Sequence, residues 1–124
     1  MIARRIGLAL GLALGAAVPA LAQDVQTATG TGAELRVLDK INGEVGDLRI
    51  ANGGSATMWR MQVELGECRY PAGNPAGDAF AFVTLRQEGQ AEPLFRGWMI
   101  ASAPALNPLD HPRYDVWVIR CTTS

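Results

Sequence analysis

Polar and apolar residues alternate along much of this chain with the two-residue period of a half-buried strand. The clearest case sets Trp59, Met61, Val63 and Leu65 on one parity against Arg60, Gln62 and Glu64 on the other. Leu35, Val37 and Ile41 share a parity in the same way, with Arg36 and Lys40 opposite. Between that segment and a returning strand over residues 45–51 lies Asn42-Gly43, a pair suited to the two positive-φ positions of a type I′ hairpin turn. Asn52-Gly53-Gly54 marks the next turn. Continued strictly past Leu65, the alternation would put Glu67 inward and Cys68 outward. A bulge at Gly66 is therefore predicted, resetting the parity so that Cys68 turns to the core.

In the second half, Pro71, Gly73, Pro75 and Gly77 exclude regular structure over residues 70–77. Residues 78–87 read as a dense apolar strand, and the unbroken run Ala79-Phe80-Ala81-Phe82-Val83 predicts burial on both faces. Glu88-Gly89-Gln90-Ala91 leads into a strand over residues 94–101, where Gly97 beside Trp98 marks the close approach of a neighbour. A proline-punctuated loop follows to residue 114, with at most one helical turn near Pro104. The closing strand, residues 115–121, is apolar without alternation and is expected at the centre of a sheet. Residues 33–124 are thus expected to form a single β domain, a small antiparallel β-sandwich or barrel of six to seven strands.

The first residues belong to a different pattern. Arg4 and Arg5 precede a 13-residue apolar run from Ile6 to Val18, followed by Ala20-Leu21-Ala22. These are the charged, apolar and small-residue parts of a secretory signal peptide over residues 1–22, cleaved after Ala22. The run is shorter than the roughly 20 residues that cross a bilayer as a helix, so no stable membrane span is expected after cleavage. Residues 23–32, rich in Thr, Gly and Ala, read as a flexible leader. The expected location is the periplasm.

Removing residues 1–22 leaves 102 residues with 9 basic and 12 acidic side chains, a net charge of −3. A weakly acidic body whose only lysine is Lys40 has no counter-charge for a phosphate backbone, and nucleic acid is not an expected partner. Cys68 and Cys121 are the only cysteines, and in an exported chain of this size they read as a disulfide. A redox-active pair is the rival reading, disfavoured by their distance in sequence and the lack of a Cys-x-x-Cys.

Three stretches carry a resemblance to a known family. They are the run Ala33-Glu34-Leu35-Arg36-Val37-Leu38-Asp39-Lys40, the segment Glu67-Cys68-Arg69-Tyr70-Pro71 with Asn74-Pro75, and the span from Pro93 to Cys121. The most specific part is Gly97-Trp98-Met99, Ala101-Ser102, Pro104-Ala105-Leu106-Asn107 and His111-Pro112-Arg113-Tyr114-Asp115-Val116-Trp117-Val118. Together they resemble the DUF2155 family of proteobacterial exported proteins, a family of unknown function. The likeness implies export and the cysteine pair, and it supplies no catalytic residue. The chain departs from the family pattern at Gly53-Gly54-Ser55, where a Gly-Glu type turn is expected.

Candidate chemistry is sparse. His111 is the only imidazole, so a zinc site would need carboxylates to complete it, and no metal or other cofactor is expected. Ser102, His111 and Asp115 can be drawn as nucleophile, base and orienter of a small envelope hydrolase, the alternative function, but no Gly-x-Ser-x-Gly elbow surrounds Ser102. Asp39, Asp78 and Asp110 suit strand ends and turns better than a pair of glycosidase carboxylates. The remaining lead is aromatic. Tyr70, Phe95, Trp98, Tyr114 and Trp117, rimmed by Arg69, Arg96 and Arg113, have the composition of an interface, against the reading that Trp98 and Trp117 are core residues flanking the disulfide. The expected function is that of a non-enzymatic binding or accessory module of the cell envelope. Arg69, Tyr70, Trp98, His111, Arg113 and Tyr114 are its binding candidates, an envelope protein or periplasmic component its partner, and an exposed patch at Tyr70, Arg113 and Tyr114 its signature.

Overall fold

The computed structural model describes residues 26–124; the expected signal peptide and the first leader residues lie outside them. Eight strands follow in order: β1 (Thr27–Thr29), β2 (Gly32–Asp39), β3 (Val45–Ala51), β4 (Ser55–Met58), β5 (Met61–Pro71), β6 (Phe80–Gln87), β7 (Phe95–Ile100) and β8 (Tyr114–Thr122). A single 3₁₀ turn, Pro104–Leu106, interrupts the loop before β8. The strands make two antiparallel sheets facing each other as an open β-sandwich. One has the order β3-β2-β8; the other has β1-β5-β6-β7, with β4 also paired to β5. β1 takes the Arg69–Pro71 end of the β5 edge and β4 the Met61–Glu64 end.

Alternation decides what fills the space between the sheets. Leu35 and Val37 from β2 and Val116 and Val118 from β8 are buried with Met61, Val63 and Leu65 from β5 and Val83 and Leu85 from β6. Full burial of each such side chain contributes about 1.5–3 kcal/mol before entropy is counted. On the outward parity, Arg36 pairs with Asp47, Arg86 with Glu64 and Arg120 with Glu34 across neighbouring strands, as solvated sheet faces do.

The predicted bulge is present. Leu65 faces Val83 and Cys68 faces Ala81, so three steps on β5 match two on β6. The extra residue returns Cys68 to the inner face, where it is fully buried and bonded to Cys121 with the Cα atoms 5.6 Å apart. The bridge joins β5 of one sheet to β8 of the other. A second irregularity in β2–β8 pairing, between Glu34 and Leu35, leaves Ile119 as the extra residue of β8.

Several expectations fail for local reasons. The loop after β2 covers residues 40–44, with Asp39 N–H bonded to Glu44 O, and only Gly43 has positive φ, so Asn42-Gly43 is not a type I′ turn. Ile41 lies in that loop, 71% exposed, and does not share the inward parity of Leu35 and Val37. The buried residues of β6 are Ala81, Val83, Leu85 and Thr84, while Phe80 and Phe82 point outward half-buried; the strand is not enclosed on both faces. β8 is an edge strand that alternates, with Tyr114, Val116 and Val118 inward and Trp117 outward, and β2 holds the centre. Within the expected flexible leader, Thr27–Thr29 pair with β5, Gly30 N–H bonds to Cys68 O, and Gly32 already opens β2.

Candidate functional site

Antiparallel strands bring turns together at each end of the sandwich, and the two ends differ in chemistry. At one end lie the disulfide, Arg69, Tyr70, Asp78 and Ser102. At the other, Asp39 at the end of β2, Gln87 at the end of β6 and Tyr114 at the start of β8 meet the β4–β5 turn. Tyr114 and Cys121 are seven residues apart on β8, so the ends are separated by roughly 23 Å at about 3.3 Å per residue.

Trp59 occupies the tight turn between β4 and β5 with φ of 54°, the only non-glycine residue in the positive-φ region among the described residues. A bulky side chain there is strained, and such outliers gather at ligand clamps and other functional sites. The residue is 39% exposed, and its ring stacks on Tyr114 at 6.1 Å between centroids and 9° between planes. Tyr114 is only 2% exposed and also stacks against His111, at 5.4 Å, with the Arg113 guanidinium 5.5 Å from its ring centre. An exposed indole therefore rests on a buried aromatic.

The loop before β8 is held from several sides. The backbone N–H groups of Arg113 and Tyr114 both donate to His111 Nδ1, at 3.0 and 3.1 Å. Nδ1 accepts and so carries no proton, which leaves Nε2–H to donate to Gln87 Oε1 at 3.0 Å. Lys40 Nζ donates to His111 O, and Lys40 N–H to Arg113 O. Arg113 donates through Nε and Nη2 to Asp39 Oδ2 at 3.0 and 2.9 Å. Asp39 sits on the inward parity of β2, where an unpaired carboxylate would be costly. Hydrogen bonding by Arg113 holds its carboxyl below the usual range despite the opposing effect of burial, with help from Ile41 N–H. Glu88 N–H donates to Arg60 O, tying the end of β6 to the β4–β5 turn.

A cavity of about 520 Å³ opens beside this cluster, lined by Trp59 and Gln87 together with Gln62, Arg86 and Gln90. Neither Trp59 nor Gln87 was a candidate from the sequence. Ser55 to Leu65 contains no Gly, Pro, Asn or Asp, so nothing marks the hairpin that lifts Trp59 out of its strand parity.

The six binding candidates separate into three places. His111, Arg113 and Tyr114 meet as described. Arg69 and Tyr70 lie at the disulfide end, with Arg69 bonded to Glu67 and Thr27. Trp98, 40% exposed, is on the outer face of β7, edge-on to Phe82 at 5.3 Å with Arg96 over the same Phe82 ring. The expected patch of Tyr70, Arg113 and Tyr114 is not contiguous, and Tyr114 is buried. Trp98 and Trp117 both point away from the core, so they do not flank the disulfide there.

Ser102, His111 and Asp115 are not assembled. Ser102 Oγ donates to Asp78 Oδ2 at 2.5 Å, His111 is engaged at the far end, and Asp115 faces Lys40 at 4.0 Å. Burial pushes the Asp78 carboxyl up, but the hydroxyl and N–H of Ser102 and the N–H of Ala79 together hold it below the usual range. Asp39 and Asp78 occupy opposite ends, which removes them as a carboxylate pair. Among the described residues no group of three or more His, Cys, Asp or Glu is placed to hold a metal ion, and no helix is long and apolar enough to cross a membrane.

A family model described as an uncharacterized protein conserved in bacteria (DUF2155) matches residues 33–121. The chain belongs to the DUF2155 family. No curated protein and no solved structure matches it. The DUF2155 match runs from β2 to Cys121 and takes in both cysteines and the whole Trp59, Gln87, His111, Arg113 and Tyr114 cluster.

Proposed function

We propose that this DUF2155 chain is a periplasmic module that binds a component of the cell envelope without catalysing a reaction, and that it binds with the Trp59 end of the sandwich. The observation that carries the reading is the exposed indole of Trp59, fixed at positive φ over the buried Tyr114 ring. An aromatic already stacked on a buried ring has less side-chain freedom to lose on binding, which lowers the entropic cost of association. His111, Arg113 and Asp39 support it from below, as hydrogen bonds around a site usually do. Export is supported by the basic and apolar start of the chain and by the Cys68–Cys121 disulfide, a bond of oxidising compartments.

A photo-crosslinking residue placed at Arg60, beside Trp59, is expected to form adducts in living cells, whereas one at exposed Arg49 on β3 is not. Identical adduct patterns at the two positions refute the assignment of the binding end. Mass spectrometry of periplasmic protein is expected to find Gln23 as the first residue; an intact leader refutes the location.

A further inference from the structure

The cavity beside Trp59 has a composition that narrows its ligand. Trp59 is the only large apolar side chain on its walls; the rest are amides, arginines, a threonine and a carboxylate. We propose that it is a subsite for a neutral saccharide, with a pyranose ring stacked on Trp59 and its hydroxyls hydrogen-bonded by the Gln87 amide. The proposal rests on the reading that the Trp59 end is the binding end, and it names the class of ligand.

Three observations point the same way. The first is charge. Arg86 Nε donates to Glu64 at 3.0 Å, and Arg60 lies 3.9 Å from Glu88. Each guanidinium on the walls thus has a carboxylate near it, which offsets the positive charge that would draw a phosphate or carboxylate. An uncharged polar ligand does not depend on that charge.

The second is the orientation of Gln87. Its oxygen is turned toward His111 Nε2–H, because His111 Nδ1 is occupied as an acceptor by two backbone N–H groups. The His111 contact thereby uses the oxygen of Gln87, a residue of the cavity lining, and leaves the two N–H groups of its amide for a ligand. Gln62 and Gln90 each add an amide with both a donor and an acceptor, the combination that matches a hydroxyl group, which is both at once.

The third is the indole. Its electron-rich face suits the weakly positive C–H face of a sugar ring, and the stack on Tyr114 positions it before any ligand arrives. At about 520 Å³ the cavity falls in the range of small-molecule sites and has room for a disaccharide-sized ligand.

The test is an NMR titration of the ¹⁵N-labelled mature chain with chitotetraose, maltotetraose and, separately, sodium phosphate. A neutral oligosaccharide is expected to shift the Trp59 indole and Gln87 side-chain resonances while those of Trp98 and Trp117 stay in place. Gln87→Ala is expected to weaken that binding about fivefold or more, with other spectral changes confined to the neighbourhood of His111, whose Nε2–H loses its acceptor. Trp59→Ala is expected to abolish it, and the Gln87 variant keeps the test valid if the Trp59 variant unfolds. Absence of shifts with both oligosaccharides at millimolar concentration overturns the proposal, as does phosphate moving the Trp59 and Gln87 resonances in their place. Adducts at position 60 in cells without saccharide binding leave the Trp59 end standing as the binding end and remove the saccharide; no adducts at position 60 remove that end as the binding end.

Discussion

Removing the bond between Cys68 and Cys121 is the perturbation whose size follows most directly from the structure. The bridge spans a sequence separation of 53 and joins β5 to β8 across the sandwich. A ring of that length removes conformational entropy from the unfolded chain equivalent to about 4 kcal/mol at 25 °C. A domain of this size has roughly 5–15 kcal/mol of total stability, so the bridge supplies a large share. β8 remains paired to β2 along its length without it, and the sandwich is expected to persist in the Cys68→Ala/Cys121→Ala double variant at room temperature. At about 4–8 °C per kcal/mol for a domain near 100 residues, the thermal midpoint is expected to fall by roughly 15–30 °C. Circular dichroism during heating and urea unfolding of oxidised and double-variant protein measure the difference. Midpoints within about 3 °C of each other would refute the reasoning, because the unfolded chain would then gain no freedom when the ring is opened.

Acid stability is expected to depend on Asp39. Its carboxyl is lowered in the folded protein, so at pH values just below the ordinary carboxylate range the unfolded chain binds more protons than the folded one. The stabilisation is therefore full above that range and lost as pH falls through the folded value; Asp39→Asn should flatten this limb of a urea midpoint against pH profile, and an unchanged slope would count against it. Deleting Gly66 removes the extra residue of the β5 bulge and turns Cys68 outward, so thiol titration of the unfolded, oxidatively refolded protein should find two free thiols per chain; a retained disulfide would show that the strand can re-form its bulge elsewhere. Trp59→Gly and Trp59→Ala both lose the stack on Tyr114, but only glycine relieves the positive φ. The glycine variant should be the more stable by about 1 kcal/mol in urea unfolding, and equal stabilities would show that the turn is not strained.

Period-two alternation made the sheet class legible, and it did so because burial between two sheets selects one parity of each strand. It also located the bulge: Cys68 can reach Cys121 only if one residue is inserted after Leu65. The aromatic residues were not legible in the same way. Phe80, Phe82, Trp98 and Trp117 are residue types common in cores, yet they occupy outward parities, where Phe82 packs against Trp98 and under Arg96. The hydrophobicity of a side chain does not say which face of its strand it takes when both faces carry apolar residues.

The candidate site shows the same division. The sequence by itself determined the two-residue period, the turn glycines and the pair of thiols, each of which depends on near neighbours or on there being no other partner. The contact of Trp59 with Tyr114, of His111 with Gln87 and of Arg113 with Asp39 joins residues 24 to 74 positions apart or carried on different sheets. Only the packing of the two sheets sets which strand ends meet, and that depends on the whole core at once, so no local pattern could announce it.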